Sequence, residues 1–211
     1  MPDFQFETVH RVAGRVLIAG VDEAGRGPLA GPVVAGAVIL PEDFTSRWLD
    51  DSKKLTGARR EILYGELTSD PRVRWASGVA EVAEIDRLNI LRATHLAMRR
   101  AVAALTGPEP DMVLIDGLPV QDFPWPQQAI VKGDALSLSI AAASIIAKVE
   151  RDRTMLALDK LFPDYQFGRH KGYGTAVHLA ALQKHGPSPH HRRSFQPVAQ
   201  LSLDFSGGRD P

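Results

Sequence analysis

Two apolar runs, "RVLIAGVD" (Arg15 to Asp22) and "PVVAGAVIL" (Pro32 to Leu40), are separated by only nine residues. Neither run alternates with polar side chains, so each reads as a central strand buried on both faces. The link between them holds Gly25, Gly27, Pro28 and Gly31. A link of that length and composition turns the chain back on itself without room for a crossover helix, so the strands pair antiparallel. A strand pair with no polar face needs cover on both sides, which commits the chain to a sheet flanked by helices.

The rest of the chain supplies that cover. "RVRWASGVA" (Arg72 to Ala80) alternates more clearly and reads as a third, half-exposed strand. "MVLID" (Met112 to Asp116) and "QAIV" (Gln128 to Val131) read as two more short strands. A helix is expected from about Thr56 to Leu67, with Thr56 as its N-cap. A longer one is expected from about Glu84 to Leu105, where Leu88, Leu91, Met98, Val102 and Leu105 follow helical spacing and Gly107-Pro108 ends the run. "SLSIAAASIIAKVERDRTMLALDKLF" reads as a long helix whose small residues allow close packing on a sheet. "TAVHLAALQKH" reads as a last helix, beginning near Thr175 and stopping at Gly186. The pattern predicts an α/β fold with a mixed sheet in one domain over residues 1–195, then a flexible tail over 196–211. No internal repeat is present.

Composition narrows the chemistry. With 211 residues the chain can bury one sizeable core. It has no cysteine, which excludes disulfides, thiolate metal sites and a cysteine nucleophile, and suits a cytoplasmic protein. "MPDFQFETVHRVAGR" carries acids and no apolar core, so no secretory signal is expected, and no apolar stretch is long enough to span a bilayer. The formal net charge is zero, but the charge is unevenly placed. Tyr165 to Gln200 contains no Asp or Glu, and it holds Arg169, Lys171, Lys184, Arg192 and Arg193. The same segment holds His170, His178, His185, His190 and His191. Such a region can neutralise phosphates, and it equally suits a solvated surface.

Asp22, Asp116 and Asp134 each follow an apolar run, "LIAGVD", "MVLID" and "AIVKGD", and Glu23 adjoins the first. Ionised acids beside a buried sheet are costly unless a cation or several donors neutralise them. If the four converge, hard oxygen donors without cysteine suit Mg²⁺ or Mn²⁺ better than Zn²⁺. A carboxylate cage for two such ions serves phosphodiester hydrolysis, one ion activating water and the other stabilising the leaving oxygen. The loop "AGRG" meets neither the P-loop pattern nor the dinucleotide fingerprint, because no Gly-Lys-Ser/Thr occurs and a strand follows. Gly25 and Gly27 suit close approach of a polymer to main-chain groups, with Arg26 adding charge for phosphate; a tight hairpin would need glycine as well.

Six segments together carry a resemblance. "GVDEAGRGPLAGPVVAGAVIL", "DSKKL", "VLIDG", "KGDALSLSIAAASIIAKVERDR", "HKGYGT" and "SPHHRRSF" resemble the bacterial ribonuclease HII family, in the family's order, from about Leu17 to Phe195. The resemblance implies a ribonuclease H-like mixed five-stranded sheet flanked by helices, with a C-terminal helical region. It implies endonucleolytic cleavage, dependent on Mg²⁺ or Mn²⁺, of RNA in RNA–DNA hybrids and at single ribonucleotides embedded in duplex DNA. Carried over by motif, the family's acids fall on Asp22, Glu23, Asp116 and Asp134, as catalytic and metal-binding residues. Gly25, Arg26 and Gly27 match its reader of the ribose 2′-hydroxyl, the one group that marks a ribonucleotide within DNA. Tyr173 matches the tyrosine that stacks on the sugar at the RNA–DNA junction. Lys53, Lys54 and the Arg169–Lys171 region would contact phosphate, and Ser144 and Lys148 would face the site from the long helix. A monomer is expected by likeness. Glu150 departs from the expected hydroxyl side chain, at a position where a solvent-facing acid is tolerated.

Beyond these segments, "QLSLDF" (Gln200 to Phe205) would present Leu201, Leu203 and Phe205 on one side of an extended peptide. It resembles the short peptide by which bacterial replication and repair proteins bind the sliding clamp. Two readings compete with the nuclease. One is a catalytically silent nucleic-acid-binding module, and the other is two-carboxylate general acid–base hydrolysis of glycosides, which would ignore EDTA.

Overall fold

The computed structural model describes residues 1–46, 49 and 55–201. Strands β1 (Ile18–Ala24), β2 (Val33–Ile39), β3 (Arg74–Ala80), β4 (Met112–Asp116) and β5 (Gln127–Ile130) form one mixed sheet in the order β3-β2-β1-β4-β5. β1–β2 and β2–β3 are antiparallel, and β4 lies parallel to both β1 and β5. All five expected strands are present within a few residues of their expected bounds.

Helices cover both faces. α4 (Ile90–Ala103) buries Ala93, Ala97, Met98, Ala101 and Val102 against Ala19, Val21, Ala35 and Ile115. α5 (Leu138–Leu161) covers the other face, its Ala142, Ala143 and Ile146 packing with Val38 and its Ile140 with Ile18 and Leu114. Alternation along β1 therefore turns Asp22 toward α5 and Glu23 toward α4. α5 lies close because β2 offers no side chain at Gly36: a Cβ there would stand 2.3 Å from the Ala143 carbonyl oxygen. Asp22 pairs with Gly36 in the β1–β2 register, so this close contact sits level with the first acid.

Thr56 caps α2 (Gly57–Ser69), its hydroxyl accepting the Arg59 N–H at 3.3 Å. The single helix expected from Glu84 to Leu105 is two, α3 (Val82–Leu88) and α4. The break is Asn89, at φ 71°, whose side chain accepts the N–H groups of Leu91 and Arg92. Asparagine tolerates the left-handed region and caps well, so it restarts the helix where the apolar spacing continues unbroken. α1 (Gln5–Val12) was not foreseen; it buries Glu7, which accepts the Ser137 hydroxyl at 2.6 Å and the Ser139 N–H at 3.0 Å.

A short helix α6 (Phe167–His170) and α7 (Ala176–His185) complete the fold. Packing continues past Phe195, where the tail is expected to begin. Val198 is fully buried with Leu29 and Leu182, and Leu201 packs on the same group, because an apolar residue at each position finds the groove beside Leu29. Among the described residues no helix is long and apolar enough to cross a membrane.

Candidate active site

β1 and β4 run parallel and end side by side, with Val21 opposite Ile115, so their next residues, Asp22 and Asp116, emerge together. Asp22 is only 4% exposed and accepts the Glu23 N–H at 2.7 Å. Burial raises its pKa well above the ordinary range, and the charges of Glu23 and Asp116 push it further; a hydrogen bond from Ser144 opposes them. Burial raises Glu23 too, against the Arg26 guanidinium 3.2 Å away. Asp116 accepts the Gly133 N–H at 2.6 Å and, more weakly, the Asp134 N–H at 3.4 Å.

Asp22, Glu23 and Asp116 share a cavity of about 240 Å³ with Gly25, Arg26 and Gly27. Ser144, Lys148 and Tyr173 complete its walls. The Tyr173 ring is half exposed and faces Gly27, where a Cβ would lie 3.6 Å from the ring. A larger cleft of about 610 Å³ lies at the opposite end of β1, near Leu17; it has one acid, Glu42, against Arg11, Arg15, Arg72 and Arg74, and offers nothing to hydrolytic chemistry.

The other expected residues fall differently. Asp134 sits in a 3-10 turn, Gly133–Ala135, and is buried; its backbone meets Asp116, but its side chain does not line the cavity. Lys171 is also outside the lining: its ammonium donates to the Gly168 carbonyl, and burial lowers its pKa. Lys53 and Lys54 lie outside the described residues. Lys148 lines the cavity while paired to Asp152 at 2.6 Å.

What sequence reasoning missed is the support behind the glycine loop. Two arginines, Arg151 and Arg192, are almost fully buried and have no carboxylate within ion-pair distance among the described residues. They are satisfied by main-chain oxygens instead. Arg192 donates to the carbonyls of Arg26 (2.8 Å), Gly31 (2.9 and 3.0 Å), Pro32 (3.3 Å) and Gly25. Arg151 donates to Pro32 (3.1 Å), Ala30 (3.3 Å) and Lys171 (3.1 Å), joining the glycine loop to the Tyr173 turn. Gly25, at φ 100°, leaves the room this takes: a Cβ there would strike the Arg151 side chain. Burial lowers the pKa of both arginines, Arg192 to about 9.

Three of the five histidines from the basic segment lie behind the same turn. His170 and His178 stack at 4.4 Å, and His178 Nε2 meets His191 Nε2 at 3.0 Å. His191 Nδ1 accepts from the Ser188 N–H, and His178 Nδ1 donates to the Tyr173 carbonyl. Burial first, then neighbouring charge, depresses all three, His191 to about 3. They are a neutral buried network and not phosphate contacts.

A mixed five-stranded sheet in this order, covered by helices on both faces, is the ribonuclease H-like fold, and three carboxylates meet where its β1 and β4 lie side by side. The ribonuclease HII family model matches residues 19–198. A ribonuclease HII from Desulfitobacterium hafniense is 57% identical over 187 residues, covering 89% of this chain and 71% of that protein. One from Ruegeria pomeroyi is 54% identical, covering 95% and 85%. Among solved structures, ribonuclease H2 from Pyrococcus horikoshii superposes with a TM-score of 0.73 at 27% identity, covering 90% and 99% of the two chains. RNase HII from Archaeoglobus fulgidus, solved as a PCNA complex, gives 0.67 at 25% identity, covering 87% and 96%. The chain belongs to the ribonuclease HII family, and its activity is that of a ribonuclease H. That assignment removes both the silent-module and the glycosidase readings.

Proposed function

We propose that this enzyme cleaves RNA within RNA–DNA hybrids and cuts 5′ of single ribonucleotides embedded in duplex DNA, serving ribonucleotide excision repair and RNA-primer removal. The observation that carries the reading is one cavity that joins Asp22, Glu23 and Asp116 to the Gly25–Gly27 loop and the Tyr173 ring.

The donor set fits a hard divalent cation, Mg²⁺ or Mn²⁺: carboxylate oxygens, a nearby hydroxyl, no sulfur. Burial first, then the charge of neighbouring acids, already holds Asp22 and Glu23 at raised pKa, a penalty that a bound cation would relieve. Among the described residues no three acid or histidine side chains are gathered tightly enough to enclose an ion as they stand. Gly133 restrains Asp116, and Arg26 restrains Glu23. Asp22, Glu23 and Asp116 would hold the metal, with Asp134, whose backbone adjoins Asp116, as the fourth acid. Two such ions would activate a water and stabilise charge on the leaving oxygen.

The chain's own groups do the selecting. The Gly25–Gly27 main chain, fixed from behind by Arg192, presents rigid polar groups at short range, suited to a 2′-hydroxyl that DNA lacks. Tyr173 offers a flat apolar face opposite Gly27, where a deoxyribose or ribose ring can rest. Arg26, half exposed, is free to move from Glu23 to a phosphate once a cation neutralises the acid.

The tail from Gln200 to Phe205 is proposed to bind the sliding clamp, a reading supported by the Archaeoglobus fulgidus relative solved in complex with PCNA. Gln200 and Leu201 alone of that peptide fall among the described residues. The enzyme is proposed to act as a cytoplasmic monomer.

The test is a DNA duplex bearing one ribonucleotide. Cleavage at that site is expected with Mg²⁺ or Mn²⁺, none in EDTA, none of the all-DNA duplex, and none with Asp22→Asn. Cleavage that persists in EDTA or in the variant refutes the proposal. Removal of residues 202–211 should abolish capture by the clamp and leave cleavage intact.

A further inference from the structure

Glu23 points toward α4, and the surface it meets there continues beyond the catalytic cavity. A second cavity of about 130 Å³ shares Glu23, Arg26 and Asp116 with the first and is closed by Leu91, His95 and Leu118. A third, of about 240 Å³, shares His95 with the second and is walled by Arg92, Arg99 and Gln121. The three follow one another from the acids outward along α4.

Charge changes sign along this path. Arg92, His95 and Arg99 recur at three- and four-residue steps, so one face of α4 presents them all. Neither arginine has a carboxylate partner among the described residues, whereas their neighbour Arg100, on another face, grips Glu84 through both guanidinium nitrogens at 2.7 and 2.8 Å. Arg99 is steadied by donating to the Gln121 carbonyl at 3.1 Å. Among the described residues the only acid lining the outer cavity is Asp122.

His95 makes the cleft more than a patch of surface charge. It is 7% exposed, and its Nδ1 accepts the Gln121 N–H at 3.3 Å, which leaves the proton on Nε2. No acceptor for Nε2 is found among the described residues, and the ring borders both outer cavities. Burial, then the charges of Arg99 and Arg26, lowers its pKa, so the ring stays a neutral donor. The intervening cavity is flanked by Leu91 and by Leu118, which is 73% exposed, forming an apolar shoulder.

A fixed imidazole N–H between two guanidinium groups without a carboxylate partner is a set of donors for phosphate oxygens. We propose that Arg92, His95 and Arg99 form a phosphate-binding subsite for a backbone phosphodiester of the same nucleic acid that occupies the acids, a short distance along from the bond that is cut. The subsite rests on the nuclease reading of the catalytic cavity, and it deepens that reading by adding the element that grips the duplex beyond the reactive ribonucleotide. Its contacts are made equally in the ground and transition states, so they act on binding and leave the chemical step alone.

The experiment uses the double variant Arg92→Gln/Arg99→Gln, with both changes at surface positions, and separately His95→Gln. Fluorescence anisotropy measures binding to an uncleavable all-DNA duplex over a salt series. Cleavage of a single-ribonucleotide duplex is measured in parallel. The double variant should bind the all-DNA duplex about tenfold more weakly, with a salt slope smaller by roughly 2, one for each lost phosphate contact. KM on the ribonucleotide duplex should rise by a similar factor with kcat unchanged, and His95→Gln should move KM in the same direction. Trimming the duplex on the side that reaches the cleft should raise KM for the parent and not for the double variant. Unchanged binding and salt slope overturn the subsite, as does a loss confined to kcat. Inorganic phosphate that competes as well as the duplex would mark a free-anion site and overturn the strand assignment. A parent that binds duplex through these arginines but never cuts a ribonucleotide would instead sink the nuclease reading and leave the subsite standing.

Discussion

Replacing Arg192 by methionine removes a buried cation while keeping an unbranched side chain in its place. The guanidinium serves four carbonyls, of which Pro32 retains Arg151 as a second donor. Gly25, Arg26 and Gly31 lose their Arg192 N–H groups outright. A buried acceptor left without its partner costs about 1–3 kcal/mol, so three cost about 3–9 kcal/mol. Against this, the desolvation of a guanidinium, several kcal/mol, is relieved by the same change. The net loss therefore falls near 2–4 kcal/mol, or about 4–16 °C in melting temperature for a chain of this size. Calorimetry of parent and Arg192→Met in the same buffer reads the shift directly. Because the freed carbonyls belong to the loop that lines the cavity, cleavage of the ribonucleotide substrate at a temperature where both proteins are folded should fall further than the folded fraction explains. Arg192→Lys, which keeps the charge but reaches fewer carbonyls, should lie between the two. A methionine variant that melts within about 2 °C of the parent and cuts equally well would refute the reasoning.

Gly36→Ala should be among the most destabilising changes of its size, because its methyl meets the Ala143 carbonyl at 2.3 Å and α5 must lift from the sheet; a loss under about 1 kcal/mol by urea titration would show that the contact relaxes freely. Asp22→Asn should raise the metal-free melting temperature even as it abolishes cleavage, since it removes a buried charge that repels Glu23 and Asp116; a lower melting temperature contradicts the strain. The buried histidines set an acid limit. His191 falls from the ordinary value of 6.5 to about 3, so its contribution is complete above pH 6.5 and is lost as pH drops toward 3. The slope is up to about 1.4 kcal/mol per pH unit for each such histidine. Unfolding between pH 6.5 and 4.5 should therefore be about one proton less steep in His191→Gln than in the parent, and equal slopes would show that His191 is protonated in the fold.

β1, β2 and β4 could be read because burial on both faces leaves long apolar runs, and β3 because its side chains alternate. "MVLID" and "PVVAGAVIL" need no tertiary information to be seen as core. The helix break at Asn89 was hidden for the opposite reason. Apolar spacing runs straight through it from Leu88 to Leu91, and only the positive φ and the cap reveal that the chain turns. α1 was hidden because Glu7 looks solvated, whereas its Oε1 accepts from Ser137 and Ser139, 130 residues and more away in the chain.

The same asymmetry governs the site. Asp22, Glu23 and Asp116 announced themselves because a carboxylate at the end of an apolar run is conspicuous in one dimension. Arg151 and Arg192 did not, since arginine in a polar stretch suggests exposure, and nothing local shows that its partners are main-chain oxygens up to 167 residues distant. Main-chain partners carry no side-chain signature, so no pairing of residue types could have exposed them. The glycine loop follows directly on β1, yet its shape is held by a residue near the C-terminus, joined through the Ala30–His191 bridge. The loop thus reaches its final form only when the segment around His191 and Arg192 has docked. A chain cut before Arg192 would keep every acid of the cavity and lose the frame that holds the loop beside them.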